Sequence, residues 1–297
     1  MSPIAKSGFL RRAWDRLNHA SHASNPLVGL NVGSETEFDT VDSRCPSHQN
    51  AIDAVPGWNH AFPAEYGVEA GPNVMFNDPR IHWAIEQFGG IAGRRVLEVG
   101  PLEGSHTFML DRADPAILDA VEVNQRAYLR CLIAKEIYGL RHARFYLGSV
   151  LPWLENGDRA YDLIIACGVL YHLQEPLRAL ELMARQADAL YLWTHYFDDV
   201  AMPPDDLRSL AFLKSVNIEK RGGLEIKLHA RSYYGAWRND TFCGGPKDLH
   251  YWMEKPDILN YLAALGLDDI RVAHDDPRHV NGPSVSIFAK RSQPKAP

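Results

Sequence analysis

The chain reads as an open, mostly parallel α/β sheet with helices on both faces, and three observations predict it. From Arg95 onward, short apolar runs alternate with helix-compatible segments at the spacing such a sheet requires. The first run, Val96-Leu97-Glu98-Val99, stops at Gly100 and passes through Leu102-Glu103-Gly104 into a helical segment, a strand, glycine turn and helix in sequence. The second run ends on an acid, Glu122, which lies 24 residues after Glu98, about where a carboxylate accepts hydrogen bonds from ribose hydroxyls.

Taken in order, residues 1–90 are expected to form an N-terminal helical or irregular extension and lid. Phe9, Leu10, Trp14 and Leu17 among Arg11, Arg12 and Arg16 suggest an amphipathic helix within Met1 to Ala20, without the apolar core of a signal peptide. Asn31 to Ser47 and Pro56-Gly57-Trp58 read as loop, and Asp78 to Phe88 as a helix feeding the first strand. Ser105 to Arg112 is the helix after the glycine turn, and Ile117 to Val123 the second strand. Asn124 is placed to cap a helix running to Tyr138, in which Ala127, Cys131, Ala134 and Ile137 recur at helical spacing. Ala143 to Leu147 is the third strand, Asp162 to Gly168 the fourth, Pro176 to Ala187 a helix and Ala189 to His195 the fifth strand. Lys255 to Leu265 reads as a helix with Pro256 in its first turn and Gly266 past its end. Asp269 to Ala273 and Ser284 to Ala289 are the last two strands. The main domain is thus 91–297, and no internal repeat interrupts it.

The stretch 197–254 is too long for a structureless loop in a compact domain. It is expected to be a substrate-covering insert with its own elements, Pro204 to Ser215 as helix and Leu224 to Ala230 as strand. Both additions are expected over the carboxyl ends of the strands, where sheets of this kind bind ligands.

The glycine turn says which ligand. Aligned as E-x-G-x-x-x-G, it has Leu102 where a dinucleotide site places the middle glycine that admits a pyrophosphate. Glu98 inside the strand also argues against phosphate and suits a positive partner. S-adenosylmethionine carries a sulfonium and an amino group and no phosphate. In the alternative reading of the same residues, Glu98 is satisfied by backbone amides and the glycines form an ordinary turn.

These segments together resemble the class I S-adenosylmethionine-dependent methyltransferases, well over residues 90–195 and more loosely over 255–290. Val96 to Gly104 is similar to the family's first motif, Glu122 to its ribose-binding acid, and Gly148-Ser149-Val150 to the segment that contacts adenine, without the Asp often found there. Tyr161 to Leu173 resembles the fourth strand and its loop. The run Gly168-Val169-Leu170-Tyr171-His172-Leu173, followed by Pro176, looks most like the tRNA wobble-uridine carboxymethyltransferase-like (DUF1698) branch. The resemblance implies a Rossmann-like seven-stranded sheet whose last two strands form a closing hairpin, with S-adenosyl-L-methionine held by Glu98, Gly100, Pro101, Gly104, Glu122, Val123, Asn124, Gly148, Ser149, Val150, Cys167 and Gly168.

For the reaction, His172 in the loop after the fourth strand and His195 at the end of the fifth are the topologically placed candidate bases, and Tyr171 and Tyr196 candidate hydrogen-bonding residues. The insert is aromatic, with Tyr233, Tyr234, Trp237, Phe242, Tyr251 and Trp252 in one stretch. Tyr233, Tyr234 and Trp237 are candidates to wall an acceptor pocket, with Arg231, Arg238 and Lys247 meeting an anionic or sugar-linked group. The same rings would equally serve as the insert's own core.

Composition narrows the classes. The 297 residues include 46% hydrophobic and 23% charged, globular values. A net charge of −6 supplies no overall basic field for nucleic acid. Cys45, Cys131, Cys167 and Cys243 show no paired metal or redox spacing and read as free thiols of a cytoplasmic protein. Neither they nor the 13 histidines suggest a metal site, and no apolar run is long enough to span a membrane. Three functions follow: a methyltransferase acting at oxygen or nitrogen of a small or sugar-like acceptor, a tRNA wobble-uridine modifying enzyme, or a nucleoside-binding protein without turnover. A nicotinamide oxidoreductase is the remaining rival, disfavoured by Leu102.

Overall fold

The computed structural model describes residues 41–157, 160–239, 242, 244–245 and 247–292, and of Trp237 the backbone alone. The chain divides into Met1–Cys45 and Pro46–Pro297, and the fold is that of the second unit. The amphipathic segment expected within 1–20 and Cys243 lie outside the described residues.

Seven strands, β1 (Arg95–Val99), β2 (Ile117–Glu122), β3 (Ala143–Leu147), β4 (Tyr161–Cys167), β5 (Ala187–His195), β9 (Asp269–Asp276) and β10 (Ser284–Lys290), form one sheet in the order β3-β2-β1-β4-β5-β10-β9. The first five run parallel, while β10 is antiparallel to both β5 and β9. The order reverses between β1 and β4, which opens the crevice where doubly wound sheets bind ligands.

Strand alternation builds two cores from one set of strands. Leu97, Val99, Ile164, Ala166, Leu190, Leu192 and Ile287 face one side, and α5 (Val150–Glu155), α6 (Pro176–Gln186) and α7 (Lys255–Ala264) cover them through Leu154, Leu180 and Leu262. Val96, Leu118, Ala120, Leu163, Ile165, Tyr191 and Phe288 face the other side, under α2 (Pro79–Phe88), α3 (Ser105–Asp111) and α4 (Gln125–Tyr138). The short α1 (His48–Ala54) adds Ile52 to that second core. Helix ends follow local chemistry. Asp78 accepts from the Arg80 N–H ahead of Pro79, and Asn124 accepts from the Ala127 N–H.

The insert differs from its expected form. The helix expected over Pro204 to Ser215 is instead a single turn, Leu207–Ser209, followed by β6 (Phe212–Arg221). Two forces override the helical pattern. Asp206 engages the Arg208 N–H in a local turn, and β6 is one arm of a hairpin whose two-residue loop is Gly222-Gly223. Both glycines have positive φ, 56° and 79°, which suits the turn twist that joins right-twisted strands. The strand expected from Leu224 is β7 (Leu224–Ser232), which also pairs with β8 (Leu249–Met253). This small antiparallel sheet buries Ile226, Leu228 and Met253 against α7. Among the described residues, no helix is long and apolar enough to cross a membrane.

Candidate active site

The glycine turn departs from extended backbone at three positions. Gly100, Leu102 and Gly104 all have positive φ, and Leu102, at 55°, is there despite its side chain. A Cβ on Gly100 would come within 2.9 Å of Val169 Cγ2, so the position is closed to side chains on steric as well as conformational grounds. Glu122 holds the strained Leu102: its Oε2 accepts from the Leu102 N–H at 3.0 Å and its Oε1 from the Asn124 N–H at 2.8 Å. Burial raises the pKa of Glu122, and these amides oppose the shift. The Val123 N–H is a third donor, and the carboxylate keeps acceptor capacity for one more.

Two adjoining cavities open above this turn. One, about 310 Å³, is lined by Gly100, Val123, Gly148, Ser149, Val150 and Lys247 among others. The second, about 80 Å³, brings together Gly100, Leu102, Glu122, Asn124, Gly168 and His172 and is closed by Phe242, Gly244 and Gly245 of the insert. Gly245 packs so tightly that a Cβ would lie 2.3 Å from the His172 carbonyl oxygen.

Beneath the turn lie two polar clusters. Glu103 accepts from the backbone N–H groups of Asn59 and His60 and from Arg130 at 3.1 Å, while Arg130 also donates to the Pro56 carbonyl. This pins the 56–60 segment against the loop. Glu98, also buried, accepts from Thr107 Oγ1 at 2.5 Å, and burial pushes its pKa up to about 7. On the neighbouring helix, burial disfavours charge on His106, but the Cys167 sulfur and the Asp78 carboxylate at 2.9 Å raise it to about 10.

At the carboxyl end of β5, Trp193 and His195 leave the strand on one face. His195 Nδ1 lies 2.9 Å from the Gly282 carbonyl oxygen and 3.2 Å from that of Pro283. Carbonyls only accept, so Nδ1 carries the proton and Nε2 keeps its lone pair. Burial lowers the His195 pKa to about 4, so the ring is neutral near pH 7. Trp252 stacks on it with ring centroids 5.1 Å apart, and Tyr171 meets it edge-on at 4.5 Å. His172 Nδ1 hydrogen-bonds the Tyr233 hydroxyl, which accepts from the Gly245 N–H, and burial holds the His172 pKa well below its usual value. Among the described residues, no group of three or more His, Cys, Asp or Glu is placed to hold a metal ion.

No family model and no curated protein matches the chain. Among solved structures, the N-terminal domain of EvdMO1 with SAH bound is 21% identical, with a TM-score of 0.61 over 84% of this chain and 100% of that one. The same domain in the presence of SAH and D-fucose gives 21% identity and a TM-score of 0.60 over the same shares. The fold is that of the class I methyltransferases. EvdMO1 itself is 20% identical with a TM-score of 0.54, and the match spans 82% of this chain and 46% of that one.

Against this methyltransferase fold the sequence-derived site residues separate into groups. Gly100, Glu122, Val123, Asn124, Gly148, Ser149, Val150, Gly168 and His172 line the two cavities. Glu98, Pro101, Gly104 and Cys167 are not among those lining residues; Glu98 serves Thr107, Cys167 lies beside His106, and Gly104 caps α3. Tyr171, His172, His195 and Tyr233 form one ring cluster. Tyr196, expected beside the acceptor, falls on the opposite face of β5, where its hydroxyl donates to Asp275. Tyr234 is 73% exposed and donates to the Leu210 carbonyl, and Arg238 is exposed. The Trp237 side chain lies outside the described residues. His250, His279, Arg80 and Gly244-Gly245 were not singled out in the sequence. Arg80 places its guanidinium 4.4 Å over the Trp193 ring, and His279 stands 4.9 Å from His195. Only the paired glycines in an aromatic stretch carried a local signal, that of a close backbone approach.

Proposed function

We propose that the protein is an S-adenosylmethionine-dependent methyltransferase that alkylates a hydroxyl of a small, sugar-like acceptor, with His195 as the base. The observation that carries the cofactor part of this reading is the joined pair of cavities, which runs from the Gly100 turn and Glu122 to His172 and is closed by the insert; His195 is not among the lining residues and adjoins them through the Tyr171 and His172 rings. The donor set fits the cofactor. Glu122 has acceptor capacity left for a ribose hydroxyl, the bare Gly100 permits close approach, and Gly148 to Val150 offer a slot for a purine. When bound, S-adenosylmethionine supplies a methyl group on a sulfonium that departs as a neutral thioether. The chain's own task is then alignment, which accounts for on the order of 7–11 kcal/mol in well-oriented reactions. His195 Nε2, fixed as the lone-pair nitrogen by Gly282 and Pro283, receives the hydroxyl proton as the acceptor oxygen bonds to carbon.

The enclosure by Phe242, Gly244 and Gly245 favours a compact acceptor over a tRNA loop, and the D-fucose present with the EvdMO1 domain suggests where an acceptor search begins. Calorimetry with S-adenosylhomocysteine and NAD, then methyl transfer to a sugar panel and to tRNA, tests the reading. His195→Asn keeps an N–H for Gly282 and removes the base, so turnover is expected to fall about 10²- to 10⁴-fold with cofactor affinity intact. Wild-type kcat/KM is expected to fall at acid pH, as His195 protonates through about pH 4, and to be level above that limb. Binding of NAD in place of the sulfur nucleoside would remove the proposal, and transfer to tRNA alone would replace its acceptor.

A further inference from the structure

The small sheet of the insert has a second face, opposite the one buried on α7. The β7–β8 register sets Arg231 opposite His250 and His229 opposite Trp252, so these four side chains leave the sheet on the same side. That side meets the aromatic cluster around His195, since Trp252 stacks on His195 and Tyr233 stacks on His250 at 4.0 Å. The Arg231 guanidinium carbon lies 5.2 Å from the Trp252 ring centroid and 5.8 Å from that of Phe212.

Polar atoms on this face end without partners. Among the described residues, Arg231 Nε, Trp252 Nε1 and His250 Nε2 are buried and make no hydrogen bond, on residues of which Trp252 is 2% and His250 0% exposed. The nearby acids are engaged elsewhere. Asp248 accepts from Ser232 and the Gly235 N–H, and Glu254 from Lys227 and His229. Burial lowers the pKa of Arg231, His172, His195 and His250 alike, which leaves the guanidinium as the charge among neutral rings. A partly buried cation without a counter-charge is costly, and two unpaired N–H donors beside it add to the cost. An anion that accepts from them would relieve all three.

We propose that Arg231 and Trp252 Nε1 anchor a carboxylate on the acceptor, which makes the substrate class a hydroxy acid such as a sugar acid rather than a neutral sugar. His250 supports the assignment: its Nδ1 lies 3.2 Å from the Asp248 carbonyl oxygen, so its Nε2 is a lone pair, suited to a substrate hydroxyl beside the carboxylate. The inference rests on the methyltransferase reading, and its test separates the two.

The test titrates protein saturated with S-adenosylhomocysteine with matched acid and neutral pairs: D-galacturonate and D-galactose, D-glucuronate and D-glucose, glycolate and ethylene glycol. Wild type and Arg231→Met are compared by calorimetry and thermal melting. At least one acid is expected to bind about tenfold tighter than its neutral partner, an advantage of about 1.4 kcal/mol that Arg231→Met abolishes without altering nucleoside affinity. The same variant is expected to keep or raise the melting temperature of the ligand-free protein, because it removes an uncompensated charge. The proposal is overturned if no acid exceeds its neutral partner, if the preference survives in the variant, or if the variant melts lower, which would make Arg231 a structural cation. Failure to bind the nucleoside would instead sink the functional reading beneath it.

Discussion

The Glu103–Arg130 pair supports a prediction that can be worked through from geometry. Both side chains are buried, at 0% and 2% exposure, and Glu103 is the hub, accepting from the Asn59 N–H, the His60 N–H, Asn59 Nδ2 and Arg130. Glu103→Gln keeps the shape but turns one acceptor oxygen into an NH₂ that must face an existing donor, and it removes the carboxylate charge from beside the buried Arg130 guanidinium. Breaking a buried pair in this way costs about 3–5 kcal/mol. Arg130→Met leaves Glu103 with three N–H donors, and burial already raises that carboxyl's pKa, so protonation can absorb part of the loss. Its cost is expected to be the smaller, about 2 kcal/mol. Urea titration of both single variants and the double variant gives the coupling, expected at about 1–3 kcal/mol. For a domain of this size Glu103→Gln should lower Tm by roughly 6–20 °C. The reasoning is refuted if Arg130→Met is the more damaging change, or if Glu103→Gln costs less than about 1 kcal/mol.

Two further outcomes follow from the same turn. Gly100→Ala forces both the positive φ of 67° and a 2.9 Å contact with Val169, and nucleoside affinity measured by calorimetry should drop at least about tenfold; unchanged affinity would show that the turn does not meet the ligand. Glu98 has a folded-state pKa of about 7 against an ordinary 4.5, so its protonated form is favoured in the folded protein. Its stabilisation is complete below about pH 4.5 and is lost as pH rises through 7, by at most about 3 kcal/mol. Glu98→Gln should therefore gain stability relative to wild type between pH 5 and pH 8 in urea titrations; a parallel pH dependence in the two proteins would exclude Glu98 as the source.

The parallel core was legible because its information is local. Val96 to Gly104 encodes strand, turn and helix within one short span, and the Ala127, Cys131, Ala134, Ile137 stripe fixes which face of α4 is buried. The insert was less legible because its structure depends on pairing between distant segments. Pro204 to Ser215 fits a helical pattern, and over its last residues the partner strand together with Gly222-Gly223 decides otherwise. Positions in the candidate site were readable where a backbone constraint leaves a residue type, as at Gly100, or where a strand end places a side chain, as with His195 at the end of β5. They were unreadable where assembly is tertiary. Nothing local marks His250 as facing Arg231. Strand alternation, by contrast, already sets Tyr196 opposite His195, and only its partner, Asp275, depends on the distant strands.

The two-faced sheet of the insert also bears on how such a protein diversifies. Along β7 and β8, even and odd positions answer to different demands. Leu228 and Met253 belong to the folding core, whereas Arg231 and Trp252 face the ring cluster around His195. On the proposed acceptor site, substitutions at alternate positions would therefore remake acceptor preference while the stabilising parity stays untouched. A slip of one residue in either strand would exchange the two sets and lose both at once. On the proposed acceptor site, the β7–β8 pairing thus couples register fidelity to substrate choice, and Gly222-Gly223, which fixes β7 against β6, sets the other pairing on which the sheet depends.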